Sequence, residues 1–492
     1  MASSQDGEQA PLLQATHYAD DNAREPAVGN APISRPAIIV KCLLLISFMG
    51  VGKILITRPM NQIQEDIFCY KPDVNDTRVL DNSSCGHDEL ASLRSWIAAS
   101  GSIMSFLTAA PYGMAADLYG RKRILQLSIA GTILAQAFDA VICRFPKTFP
   151  IHLMGLKGLW ALLGGGSTVH SAMIFTMASD ISSDTKRSTT FFHLTGAAIL
   201  SELLSYPVLL ALTYVGSWIS ICAGFGCLVA SFLIALTLTE TGAPGLRSGG
   251  PITASEMRIP SSYNFRLTRF LTSMAGLTRR SFTENKKLGI LIVVCLFTTT
   301  GSNVPLLVTQ RSPQRPSSAD ISVYIAIVWS SMLKVVLLTV ILPLTSRFLI
   351  EKLRYNPLRR DVTIARASIV ALVAGSLGIA IAKQAQSTKV VAAIYVYALG
   401  CGYSPAMYSL LGLLSGGQHI GLLYANIGAM QSIGTFIAGL VFGVTVEIVP
   451  FIFTIIFLAV VLGALFYLKL EEPEEGEPIW VELDYLEPQS NL

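Results

Sequence analysis

Charge is what this sequence has least of. Lys, Arg, Asp and Glu make up 14% of its 492 residues, against roughly 25% in soluble globular domains. Cysteines number eight, too few for a disulfide-built scaffold, and the six histidines are scattered with no metal-ligand spacing. No nucleophile elbow is present, so the chain is read as a non-enzyme with no cofactor and no metal. A Gly-rich phosphate loop ending in Lys and Ser or Thr is also missing, which excludes direct ATP drive. No Lys/Arg run is interleaved with aromatics, and nucleic acid is therefore not an expected partner.

What fills the space is apolar. The hydrophobic class stands at 52% and the mean hydropathy is +0.54, which excludes disordered, coiled-coil and collagen-like chains. About 20 helical residues cross a bilayer core. Twelve apolar runs of that order are found, near 37–57, 93–116, 124–143, 150–178, 189–213, 217–238, 288–309, 321–345, 363–382, 389–414, 420–446 and 449–469. The expected class is an all-α membrane protein in two six-helix halves, 37–238 and 288–470. A polar cytoplasmic linker over 239–287 joins them, with a disordered cytoplasmic tail over 1–36 and an acidic one over 471–492. The first tail has no apolar stretch and is not a signal peptide.

Orientation follows from Lys and Arg. With both termini inside, 20 fall on the cytoplasmic face and nine on the other. The two glycosylation sequons, at Asn75 and Asn82, share the outer 58–92 loop with Cys69 and Cys85. A Cys69–Cys85 disulfide suits that oxidising side; two separate thiols are the alternative.

The loop after the second run carries Gly113, Asp117, Gly120, Arg121, Lys122 and Arg123. This Gly-x-x-x-Asp-x-x-Gly-Arg-Lys spacing resembles the signature loop of the major facilitator superfamily. Further stretches resemble one fungal branch of it, distantly similar to proton-coupled folate and tetracycline-efflux carriers. They are Arg58-Pro59 with Glu65, Asp66 and Cys69; Gly164 to Gly166; Ala178 to Asp180 with Arg187 to Phe192; and Gly400 to Ala406. The resemblance implies alternating access, with Asp117 and Arg121 pairing and latching the two halves on the cytoplasmic side. It implies a small-molecule cargo, exported as a secondary metabolite; import of a nutrient or cofactor with protons, and a non-transporting receptor, are the rivals. A monomer in lipid is expected. The second-half counterpart of the loop, near Pro343 to Phe348, keeps Arg347 but lacks the Asp and Gly.

Ionisable groups inside spans are functional candidates. Glu202 in span five and Lys334 in span eight fall on helices that meet between the halves in this superfamily, as a proton site with its tuning partner or as a structural pair. Lys157 stands in span four where the family usually has a buried Arg. At 100° per residue it cannot share a face with His170, and His170 alone reads as a satisfied buried group. Lys53 reads as a snorkelling residue. Asn303 beside Pro305 marks a break in span seven, and Gly164 to Gly166 a bend or a close helix contact in span four. The plasma membrane is the default location. Glu8 to Leu13 matches an acidic dileucine pattern for vacuolar or endosomal sorting.

Overall fold

A long apolar run leaves its backbone no water to bond with, and an α-helix satisfies every N–H and C=O internally. The computed structural model describes residues 35–69, 87–241, 286–301, 318–382, 387–416, 420–444 and 449–467, and they are helical nearly throughout. The first half comprises α1 (Arg35–Cys69), α2 (His87–Tyr119), α3 (Arg121–Arg144), a 3₁₀ segment (Ile151–Leu162), α4 (Gly166–Ile181), α5 (Arg187–Thr213) and α6 (Ser217–Thr237). The second comprises α7 (Lys286–Gly301), α8 (Ser318–Val336), a π turn (Leu337–Ile341), α9 (Leu342–Glu351), α10 (Pro357–Ile381), α11 (Ser387–Leu399), a 3₁₀ turn (Gly400–Gly402), α12 (Tyr403–Leu414), α13 (Ile420–Val444) and α14 (Val449–Tyr467).

Each of the twelve apolar runs overlaps a helical segment among the described residues. Eight helices among the described residues are long and apolar enough to cross a membrane, and two shorter apolar ones, Leu288–Thr299 and Phe451–Tyr467, join them. The chain is a multi-pass membrane protein.

The fourth run is not one helix. Gly164, Gly165 and Gly166 have φ of 91°, 79° and 63°, a left-handed path that costs a side-chain-bearing residue strain but suits glycine. The chain therefore ends the 3₁₀ segment at Leu162 and restarts as α4. The 3₁₀ segment lies along α3: Met154 Sδ is 4.0 Å from Cys143 Sγ, Lys157 pairs with Asp139, and a Cβ on Gly131 would sit 1.9 Å from the Leu163 carbonyl oxygen.

The halves meet along α2 with α13, α4 with α13, and α5 with α8, α9 and α12. At the α5–α8 seam Gly196 lies against Leu338 and Thr339 of the π turn. Chain segments holding Glu8 to Leu13, Asn75, Asn82, Cys85, most of the linker, Asn303 and the acidic tail lie outside the described residues. Cys69 closes α1, with its side chain outside them too.

Candidate functional site

Between the halves lies a cavity of about 650 Å³, within the size range of drug-sized ligand sites. Its wall is mostly small and hydroxylated, with Ser102, Ser105, Thr132, Ser171, Ser432 and Thr435 beside Gln136 and Gln431, and Trp160, Phe175, Tyr408 and Tyr424 supply aromatic surface. The charged side chains on the described wall are Lys53 and Lys157, both cations. Lys157 forms an ion pair with Asp139 and donates to Gln136 Oε1 at 3.3 Å. Asp139 itself is nearly inaccessible, with its side chain 4% exposed.

One end of the cavity is floored by rings from both halves. Phe175 of α4 packs edge-on against Tyr408 of α12 at 4.8 Å and Phe191 of α5 at 5.2 Å, and Phe191 against Tyr424 of α13 at 5.9 Å. Such tilted contacts add about 0.5–1.5 kcal/mol per pair beyond their burial. The Tyr hydroxyls are engaged rather than left dry: Gln431 Nε2 donates to Tyr408 Oη at 2.7 Å, and Tyr424 donates to the Tyr408 carbonyl at 3.0 Å.

Beneath the floor, on the face that carries Arg121 to Arg123, Lys186 and Arg187, the signature loop makes its contacts. Asp117 accepts from the backbone N–H groups of Gly421 at 3.0 Å and Leu422 at 2.9 Å. These are unsatisfied donors in the first turn of α13, where helix polarity favours an anion. Gly113 permits the approach, since a Cβ there would lie 2.4 Å from that of Ala425. Arg121 reaches Asp117 at 3.5 Å and pairs with Asp180. Gly120, at φ 101°, turns the chain into α3, whose first N–H groups, on Arg121 and Lys122, donate to Glu240 at 2.8 and 3.2 Å. Thr241 donates to Asp180 at 3.2 Å.

The second half supplies its own clamp from different residues. Arg360 Nη1 donates to the Thr185 carbonyl just before α5 at 2.6 Å, and Arg360 Nε to Asp361 at 2.7 Å; both side chains are 0% exposed. Asp361 lies beside Ser188 of α5 and Ser409 of α12. Arg360 thus supplies a charged inter-half contact in the second half, where the Pro343 to Phe348 stretch keeps Arg347 but lacks the Asp and Gly of the signature loop.

Other expected residues fall as follows. Glu202 is exposed and Lys334 half-buried; Glu202 lies within electrostatic range of Lys334, but among the described residues no ion pair joins them. The Lys334 ammonium sits 5.9 Å from the Tyr397 ring centre. Lys53 faces the cavity rather than snorkelling to a surface. His170 is buried, near Lys53 rather than Lys157; the break at Gly164 to Gly166 voids any angle counted along a continuous helix. Sequence reasoning passes over Asp139, although a lone carboxylate in an apolar run was its signal. It also passes over Glu240, which sits at the start of the linker with no pattern to mark it.

No protein-family model matches the chain. An MFS efflux pump of Emericella nidulans, atnC, is 27% identical over 454 residues, covering 88% of this chain and 85% of that pump. An MFS-type transporter of Aspergillus flavus, aprT, is 26% identical over 455 residues, covering 88% and 87%. Among solved structures, a bacterial homologue of the iron transporter ferroportin in an outward-facing state superposes with a TM-score of 0.62 at 11% identity, covering 89% of this chain and 99% of that one. The MFS proton:xylose symporter XylE superposes with a TM-score of 0.61 at 14% identity, covering 88% and 94%.

Proposed function

We propose that this chain, which has the major facilitator fold and is related along most of its length to fungal MFS efflux pumps, exports a small organic compound by alternating access. It is a secondary membrane carrier and not an enzyme. The observation that carries the reading is a cavity at the seam of the two halves, with hydroxyl, amide and ammonium groups set in an otherwise apolar wall, floored by Phe175, Tyr408 and Tyr424 and latched below by Asp117 on α13. The latched face is the Lys/Arg-rich one, which faces the cytoplasm by the positive-inside rule. The arrangement therefore stands for the outward-facing limb of the cycle. Loading from the cytoplasm requires Asp117 and Arg360 to release α13 and Thr185, and the aromatic floor to part.

Outward direction rests on the names of the relatives, and the plasma membrane is the natural site for it. Proton coupling belongs with Asp139: a proton on this carboxylate removes its charge and frees Lys157 toward the cavity. Glycans on Asn75 and Asn82, and a Cys69–Cys85 bridge, complete the proposal on the outer loop.

Deletion of the gene in its source organism tests the reading. At least one small compound is expected to shift from the medium into the cells. An unchanged partition overturns export, and lost uptake of an external compound assigns import.

A further inference from the structure

We propose that the cavity takes an organic anion, docked by its acidic group on Lys53 with its apolar body against the aromatic wall. The proposal rests on the carrier reading above and names the cargo class of that cavity.

Two ammonium groups, Lys53 and Lys157, stand on the described wall, and no Asp or Glu does. They lie within Coulombic range of each other. Asp139 behind the wall neutralises Lys157, which also donates a hydrogen bond to Gln136. Lys53 has no such partner: among the described residues nothing accepts a hydrogen bond from it or pairs with it. The cavity is thus left with one uncompensated positive charge in a medium where a lone charge is costly.

A carboxylate or acidic phenol restores neutrality there. A neutral cargo leaves the deficit standing, and a cation doubles it. Thr57, one turn along α1 from Lys53 and on the same wall, offers a hydroxyl beside the ammonium. Trp160, Phe175 and Tyr408 offer faces to an unsaturated body. Lys157 is the second cation, held in reserve by Asp139. Protonating Asp139 would turn Lys157 toward the same anion, which links the cargo charge to the proton.

The test uses the purified full chain in detergent and three probes of one shape: 2-naphthoate, 2-naphthamide and 2-naphthylmethylamine. Thermal shift and quenching of the probe's fluorescence give the binding. Naphthoate is expected to bind at least about tenfold tighter than the amide, the scale of one hydrogen bond to a charged group, and the amine weakest. Lys53→Met should bring naphthoate down to the amide, and Lys53→Arg should keep the preference. Amide or amine binding as tight as naphthoate, absence of naphthoate binding, or a preference that survives Lys53→Met overturns the proposal. Counterflow of labelled probes in proteoliposomes separates the two readings. Charge-selective binding without counterflow removes only the carrier; counterflow of all three at equal rates removes only the anion.

Discussion

The two halves close the same face of the molecule with opposite charges. The first half offers an anion, Asp117, to bare N–H groups at the start of α13; the second offers a cation, Arg360, to a bare carbonyl before α5. Burial separates them. Asp117 and Arg121 keep 14% and 11% exposure, while Arg360 and Asp361 keep none. A contact at the edge of water exchanges its partner for solvent at little cost, whereas a buried charge deprived of its partner has nothing to turn to. The difference makes the Asp117 contact the one that releases at little cost and the Arg360 contact the one that resists release.

The largest effect is expected from Arg360→Met, which strands Asp361. It should destabilise the protein by about 3–5 kcal/mol, read as a loss of thermal stability in detergent, and Arg360→Met with Asp361→Leu should recover most of it. A single variant that loses under ~1 kcal/mol would erase the distinction between the clamps. Asp117→Ala ranks next. It removes an anionic cap at a cost of about 1–2 kcal/mol, enough to shift a two-state balance roughly tenfold while stability barely moves. Double electron–electron resonance between spin labels at Tyr119 and Leu353, both exposed, should show a longer-distance population in the variant; an unchanged distribution places Asp117 among the holding residues. Glu202→Gln should do least, within ~0.5 kcal/mol as an exposed substitution, and proton-driven transport should persist in it but fail in Asp139→Asn. The reverse pattern returns coupling to Glu202.

Most spans were legible because the bilayer sets their length and an apolar run marks them. The signature loop was legible because Gly113, Asp117, Gly120 and Arg121 act at fixed spacing within one segment. What stayed hidden depends on partners distant in sequence. Lys157 and Asp139 meet only once span four leaves the α-helix, and a wheel drawn at 100° per residue puts Lys157 elsewhere. Arg360 looks like any basic loop residue until Thr185, 175 positions away, comes to it. Glu202 and Lys334 lie on helices that do meet, but adjacency of helices does not fix the register of two side chains.

The 3₁₀ segment and α3 run antiparallel, and their touching points are Met154 with Cys143, Lys157 with Asp139, and Leu163 with Gly131. Along one helix the steps are multiples of three; along the other they are multiples of four. Three residues of 3₁₀ helix rise about 6 Å and four of α-helix also rise about 6 Å, so the two scales coincide at every mark, like a vernier. Were span four an α-helix throughout, the scales would slip by about 1.5 Å at each mark, and Lys157 could meet Asp139 only if the neighbouring marks missed. The unusual winding is thus what lets one ion pair be set in place by its neighbours on both sides, and a one-residue insertion between two of the marks would break their common register.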